Sequence, residues 1–106
     1  MNTLEVLIAA RKLIEKPENW CKGAYARTAR DYEVGPKEAT ATKWCVFGAV
    51  WKVADDPNGI AASNARWALN EQADGAVLLN DTTSTTHADV LAAFDRAIAA
   101  ERGRAR

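Results

Sequence analysis

The sequence predicts a mainly α protein, a compact single-domain bundle of about four to five helices with at most one short strand or hairpin. Three observations lead there. Alanine is abundant, while runs of β-branched and aromatic residues are few. The segment from Val90 to Ile98 carries one apolar stripe at helical spacing. Pro17, Gly35-Pro36 and the run Asp55-Asp56-Pro57-Asn58-Gly59 punctuate the chain into helix-length pieces. With 106 residues, 48% hydrophobic and 26% charged, the chain can build one core and not two. The domain is read as residues 1–101, with 102–106 a fraying tail.

The elements follow in order. A first helix starts with Thr3 as N-cap and runs to about Lys16, where Pro17 stops it. Leu4, Leu7, Ile8 and Ile14 form its face, widened by Val6, Ala10 and Leu13, so it is buried against more than one neighbour. Residues 20–30 read as a short helix or turn anchored by Trp20, followed by a loop to Pro36. A second helix is expected from about Lys37 to Val53; its centre, Trp44 to Trp51, has no charged side chain before Lys52 and marks it as the central helix. Gly48 inside it would serve the close approach of another backbone or a Trp ring. A third helix covers about Ile60 to Gln72, closed by Gly75, and Ala76 to Leu79 is an apolar run too short to assign. The last helix opens on Thr86 with Asp89 three residues on, a capping-box variant, and buries Val90, Leu91, Phe94, Ala97 and Ile98.

Composition removes several classes of function. Fourteen basic and fourteen acidic residues leave no net charge, which argues against nucleic acid as a partner. The N-terminal apolar run lacks a preceding basic residue and passes straight into Arg11-Lys12, unlike a secretion signal, and nothing approaches the ~18 apolar residues of a membrane span. A cytoplasmic protein with reduced cysteines is expected, without a membrane partner. No phosphate loop or dinucleotide fingerprint is present, so no cofactor is expected.

The chemistry-bearing residues are few. Cys21 and Cys45 each follow a Trp and precede a Gly-Ala, in Trp20-Cys21-Lys22-Gly23-Ala24 and Trp44-Cys45-Val46-Phe47-Gly48-Ala49. Buried, they act as small hydrophobes in the core. As nucleophiles, Cys21 or Cys45 would take His87 as base, with Asn80 or Asp81 orienting it, and would need a depressed thiol pKa. Cys45 would then lie in mid-helix among Trp44, Val46 and Phe47, which opposes a thiolate. A metal would have Cys21, Cys45, His87 and Asp81 or Asp89 as ligands, but the paired short spacings of structural zinc are absent, so no metal is expected. Of the four tryptophans, Trp20 and Trp44 read as core anchors, and Trp51 and Trp67, with Tyr25, Asn80 and Asp81, as candidates for a ligand pocket or a dimer surface. Asn80-Asp81 and the hydroxyl-rich run after it read as an ordered polar loop, with Asp81 bonding backbone amides.

The chain resembles a family of small bacterial and phage proteins known only as a domain of unknown function. The resemblance spans most of the chain. It rests on Leu13-Ile14, the two Trp-Cys…Gly-Ala segments, Asn80-Asp81, Val90-Leu91 and Arg96-Ala97-Ile98. It implies an aromatic residue before the Asn-Asp pair, where Leu79 stands here, and it brings no activity with it. The reading that follows is a non-enzymatic binding or interaction module that takes a protein or small-molecule ligand and self-associates. The alternative is a small cysteine-dependent, thiol hydrolase-like enzyme using Cys21 or Cys45 with His87.

Overall fold

A computed structural model describes residues 1–73 and 75–104. It contains five α-helices and one small two-stranded antiparallel sheet, in the order α1 (Thr3–Leu13), β1 (Ala26–Arg27), β2 (Lys43–Trp44), α2 (Val46–Val53), α3 (Ile60–Gln72), α4 (Ala76–Asp81) and α5 (His87–Arg104). The bundle of about four to five helices with one short hairpin is thus the observed architecture.

The helical core is apolar and centred on α1, which packs against α2, α3 and α5, while α3 also packs on α5. Leu7 and Ile14 meet Phe94, Val90, Leu69 and Val50, all fully buried. Ala62, Ala65 and Ala68 line the inner face of α3, so the helix can lie close to its neighbours. The capping box at α5 forms as the sequence suggests: Thr86 N–H donates to Asp89 and Asp89 N–H to Thr86 Oγ1. The helix runs through Arg104, and the rest of the anticipated 102–106 tail lies outside the described residues.

Four local expectations are corrected. The N-cap of α1 is Asn2, one residue earlier than Thr3, because its side chain accepts from Glu5 N–H at 2.8 Å while Glu5 reaches back to Asn2 N–H at 2.9 Å. That helix ends at Leu13 rather than Lys16, with Ile14 as its C-cap. The helix expected over Lys37–Val53 begins only at Val46: Lys43 and Trp44 are extended and pair with Arg27 and Ala26, and Cys45 is the N-cap. The short run after Gly75 is helix, with Gly75 at its start at φ 97° rather than closing α3.

Segment 20–27 contains no α-helix. A 3-10 turn over Pro17–Asn19 leads into Trp20, which bridges Trp44 in parallel, and the chain then turns back as β1. Trp44 is therefore flanked by Trp20 on one side and Ala26 on the other, with its indole N–H on the Pro36 carbonyl at 2.9 Å. Gly48 has the use expected of it: a β-carbon there would lie 1.7 Å from the Tyr25 carbonyl oxygen. The backbone of residue 25 crosses the first turn of α2 at a distance only glycine allows.

Candidate functional site

A parallel pair beginning at Trp20 and Trp44 would place hydrogen bonds alternately along the two segments. The first is present, Cys21 N–H to the Trp44 carbonyl at 3.2 Å. The next would join Val46 N–H to the Cys21 carbonyl, but there the Asn80 side chain is inserted. Its Oδ1 accepts from Val46 N–H at 3.2 Å, and its Nδ2 donates to the Cys21 carbonyl at 3.0 Å. The carboxamide acts as an extra peptide group between two diverging backbones. Oδ1 also accepts from the Trp20 indole N–H at 2.6 Å, and Nδ2 donates to Asp81 Oδ1 at 3.0 Å. All four bonds an amide can make are made, and Asn80 is fully buried.

Asp81 is placed by the same device. Its Oδ1 receives Asn80 Nδ2 and the Gly23 N–H at 3.0 Å, as the sequence reading of an amide-bonding Asp81 expects. Gly23 has φ 77°, a conformation that side chains resist, so the loop can offer this N–H to α4. Lys22 completes the junction. Its ammonium donates to the carbonyls of Thr82 at 2.5 Å and Thr85 at 2.8 Å, past the C-terminal end of α4, and lies 5.5 Å from the centre of the Trp20 ring.

Beside this junction is a cavity of about 250 Å³ lined by residues 23–25, Glu33, Cys45, Val77 and Asp81. Of the residues singled out in the sequence, Tyr25, Cys45 and Asp81 meet here. Asn80 lies behind it as the buried support. Glu33 and Val77 carried no signal in the sequence, being an ordinary loop acid and an ordinary apolar residue. Trp51 and Trp67 do not line the cavity; both are exposed, and Trp67 is overlaid by the Arg104 guanidinium at 5.6 Å.

The cysteines are free and buried, and the Trp20–Trp44 bridge brings them abreast. Cys45 is an N-cap rather than a mid-helix residue, its Sγ accepting from Gly48 N–H at 3.3 Å. Burial nonetheless raises its pKa, against the lowering effect of these amides, and Asp81 adds to the rise. Cys21 is pushed up from its ordinary 9.0 to about 12, first by burial and then by the neighbouring Cys45. His87 stands at the start of α5 with Nε2 2.6 Å from the Ile14 carbonyl. A carbonyl only accepts, so Nε2 carries the proton and ties α5 to the end of α1. The imidazole also rests against Trp20, with ring centres 5.8 Å apart. No group of three or more His, Cys, Asp or Glu among the described residues could hold a metal ion, and no described helix is long and apolar enough to cross a membrane.

Residues 1–100 match the model of DUF6197, a family of unknown function. The chain belongs to this family. No curated protein and no solved structure matches it.

Two expectations follow. Asn80→Ala leaves the Trp20 indole N–H, Val46 N–H and Cys21 carbonyl without partners and should lower unfolding free energy by about 3 kcal/mol or more, read by urea denaturation. Asn80→Asp should be similarly harmful at neutral pH, because a carboxylate cannot donate to the Cys21 carbonyl. Second, the folded chain holds the Cys21 proton more tightly than the unfolded chain does. Its contribution to stability is therefore full below pH 9.0 and is lost as the pH rises toward about 12. Denaturation midpoints between those limits should fall less steeply in Cys21→Ala than in the wild type; equal slopes would contradict the assignment.

Proposed function

We propose that the protein is a non-enzymatic binding module whose ligand seat is the cavity beside Asn80 and Asp81. The observation that carries this reading is a preformed concavity built at a rigid polar junction. Its walls come from the 23–25 segment, Glu33, the N-cap of α2 and one face of α4. The junction is held by a buried amide with every hydrogen bond satisfied, so little ordering is left to occur on binding. Two facts weigh against the thiol-hydrolase alternative. Both thiols are held protonated by burial, and the histidine is engaged with Ile14 and Trp20.

Ligand-observed NMR with a library of small fragments tests the seat. Binders should appear with the wild type and lose affinity in Ala24→Phe, which fills the cavity. Cysteine-dependent turnover of p-nitrophenyl acetate, abolished in Cys45→Ala, would overturn the non-enzymatic reading.

Self-association is a second reading, favoured by the outer face of α3. Ile60 and Trp67, seven residues apart, are 81% and 58% exposed there. Sedimentation velocity should show a concentration-dependent dimer that Trp67→Glu weakens. A strict monomer at millimolar concentration would remove this second reading and leave the first untouched.

A further inference from the structure

We propose that Cys21 and Cys45 form a redox pair, reduced at rest and closed to an internal disulfide by hydrogen peroxide, whatever ligand the cavity takes. The pairing follows from the backbone. Trp20 and Trp44 bridge in parallel, so Cys21 and Cys45 are the next residues in register. Residues at the same step of a parallel pair put their side chains on the same face. The bond from Cys21 N–H to the Trp44 carbonyl, 3.2 Å, holds the two segments together at this step. The gap that the Asn80 amide fills lies beyond both α-carbons, between the Cys21 carbonyl and Val46 N–H. Paired strands run about 4.8 Å apart, and disulfides join α-carbons about 4.4 to 6.8 Å apart. A pair at the last step before the backbones diverge falls in that range.

The two thiols also lie beside the same stretch of chain. Cys21 Sγ donates to the Ala24 carbonyl at 3.7 Å. Cys45 N–H donates to the next carbonyl, that of Tyr25, at 3.2 Å. Cys45 Sγ accepts from the N–H of Gly48, the residue that packs on that same Tyr25 backbone. The thiols are near enough for the charge of one to oppose ionisation of the other. Cys45 lines the cavity, so it is the thiol that entering peroxide meets. Its sulfur attacks the O–O bond, takes up one oxygen as a sulfenic acid and releases water. The Cys21 sulfur then attacks the Cys45 sulfur, the S–O bond breaks, and the hydroxyl leaves with the Cys21 proton as a second water. Two thiols and one peroxide thus become one disulfide and two waters. Burial holds both thiols protonated, so the first step is slow and the pair acts as a stoichiometric switch, not as a peroxide-consuming catalyst. The new bond ties the Trp20 segment covalently to the start of α2, which otherwise meet through the Trp20–Trp44 bridge and the Asn80 amide. Closing the chain between residues 21 and 45 also restricts the unfolded state, which stabilises the fold.

The full chain, fully reduced, is treated with excess hydrogen peroxide at neutral pH, quenched with catalase, alkylated in denaturant and mapped by mass spectrometry. A parallel sample is oxidised while unfolded in urea. The folded sample should yield a monomer two hydrogens lighter than the reduced chain, with Cys21 joined to Cys45, and dithiothreitol should restore it. The oxidised chain should keep a dispersed amide NMR spectrum, with shifts concentrated at residues 20–25 and 44–48. Its urea midpoint should lie above that of the reduced chain. A bridge that forms only in the unfolded sample would overturn the proposal. So would disulfides between molecules, or sulfinic acid without a bridge. An internal bridge that lowers the urea midpoint or collapses the spectrum would overturn it as well. The cavity's ligand binding is read separately by the fragment screen on reduced protein, so failure of the redox pair leaves the binding module standing.

Discussion

The carboxamide of Asn80 sits where two backbone segments should exchange a hydrogen bond and do not. Val46 has turned into a helix and Cys21 has turned into a loop, and their N–H and C=O groups point toward each other across a gap of one amide. A buried N–H or C=O left in that gap would be costly, and an apolar side chain could not fill it without leaving both unpaired. An amide is the one neutral side-chain group that presents a donor and an acceptor with peptide geometry. Its second donor and second lone pair then fix Asp81 and Trp20. A network of this kind is all-or-none: complete, it specifies a single arrangement, and with a member missing it is worse than an apolar core.

That constraint explains the division of the molecule. The α1, α3 and α5 half is held by close-packed apolar side chains such as Phe94, Leu7 and Leu69. The half between Trp20 and Trp44 has strands of only two residues and few apolar side chains of its own. It is held by directed contacts instead: the Trp44 indole on Pro36, Lys43 on Asp31, Lys22 on the Thr82 and Thr85 carbonyls, and the Asn80 amide. Segments of that type have low local stability unless each contact is made. The cavity lies along the seam where this second half meets α4 and the N-cap of α2, with helix on one side and loop on the other.

Which features could be read from the sequence follows from the range of the interaction behind each. The stripe on α5, the Thr86–Asp89 cap and the limits of α3 depend on residues within a turn or two of each other, and they are found where the pattern puts them. Gly48 signalled a close approach, although nothing local named the Tyr25 backbone as the partner. The helix expected from Lys37 fails because Trp44 and Cys45 are apolar in either conformation; pairing with Trp20 and Ala26, distant in sequence, makes them extended. Asn80 and Asp81 could be recognised as polar residues before a cap, but the backbone and indole groups they bond stand 34 to 60 positions away. Glu33 had no local mark at all. Tyr25 and Asp81 were recognised as candidate residues individually, and only the fold brings them together.

The paired Trp-Cys…Gly-Ala segments take their meaning from the same seam. In each, the Trp indole N–H ends on an oxygen that secures a turn, Asn80 for Trp20 and Pro36 for Trp44. The glycines serve different needs, Gly23 a positive φ and Gly48 the passage of the Tyr25 backbone. Cys45 caps α2 through sulfur, a weaker acceptor than a hydroxyl oxygen but one without a strong O–H donor to satisfy in a buried site. Burial and the Asp81 charge keep that thiol protonated, so its position at a helix start does not activate it. The repeated motif therefore builds part of the wall of the cavity, through Gly23, Ala24 and Cys45.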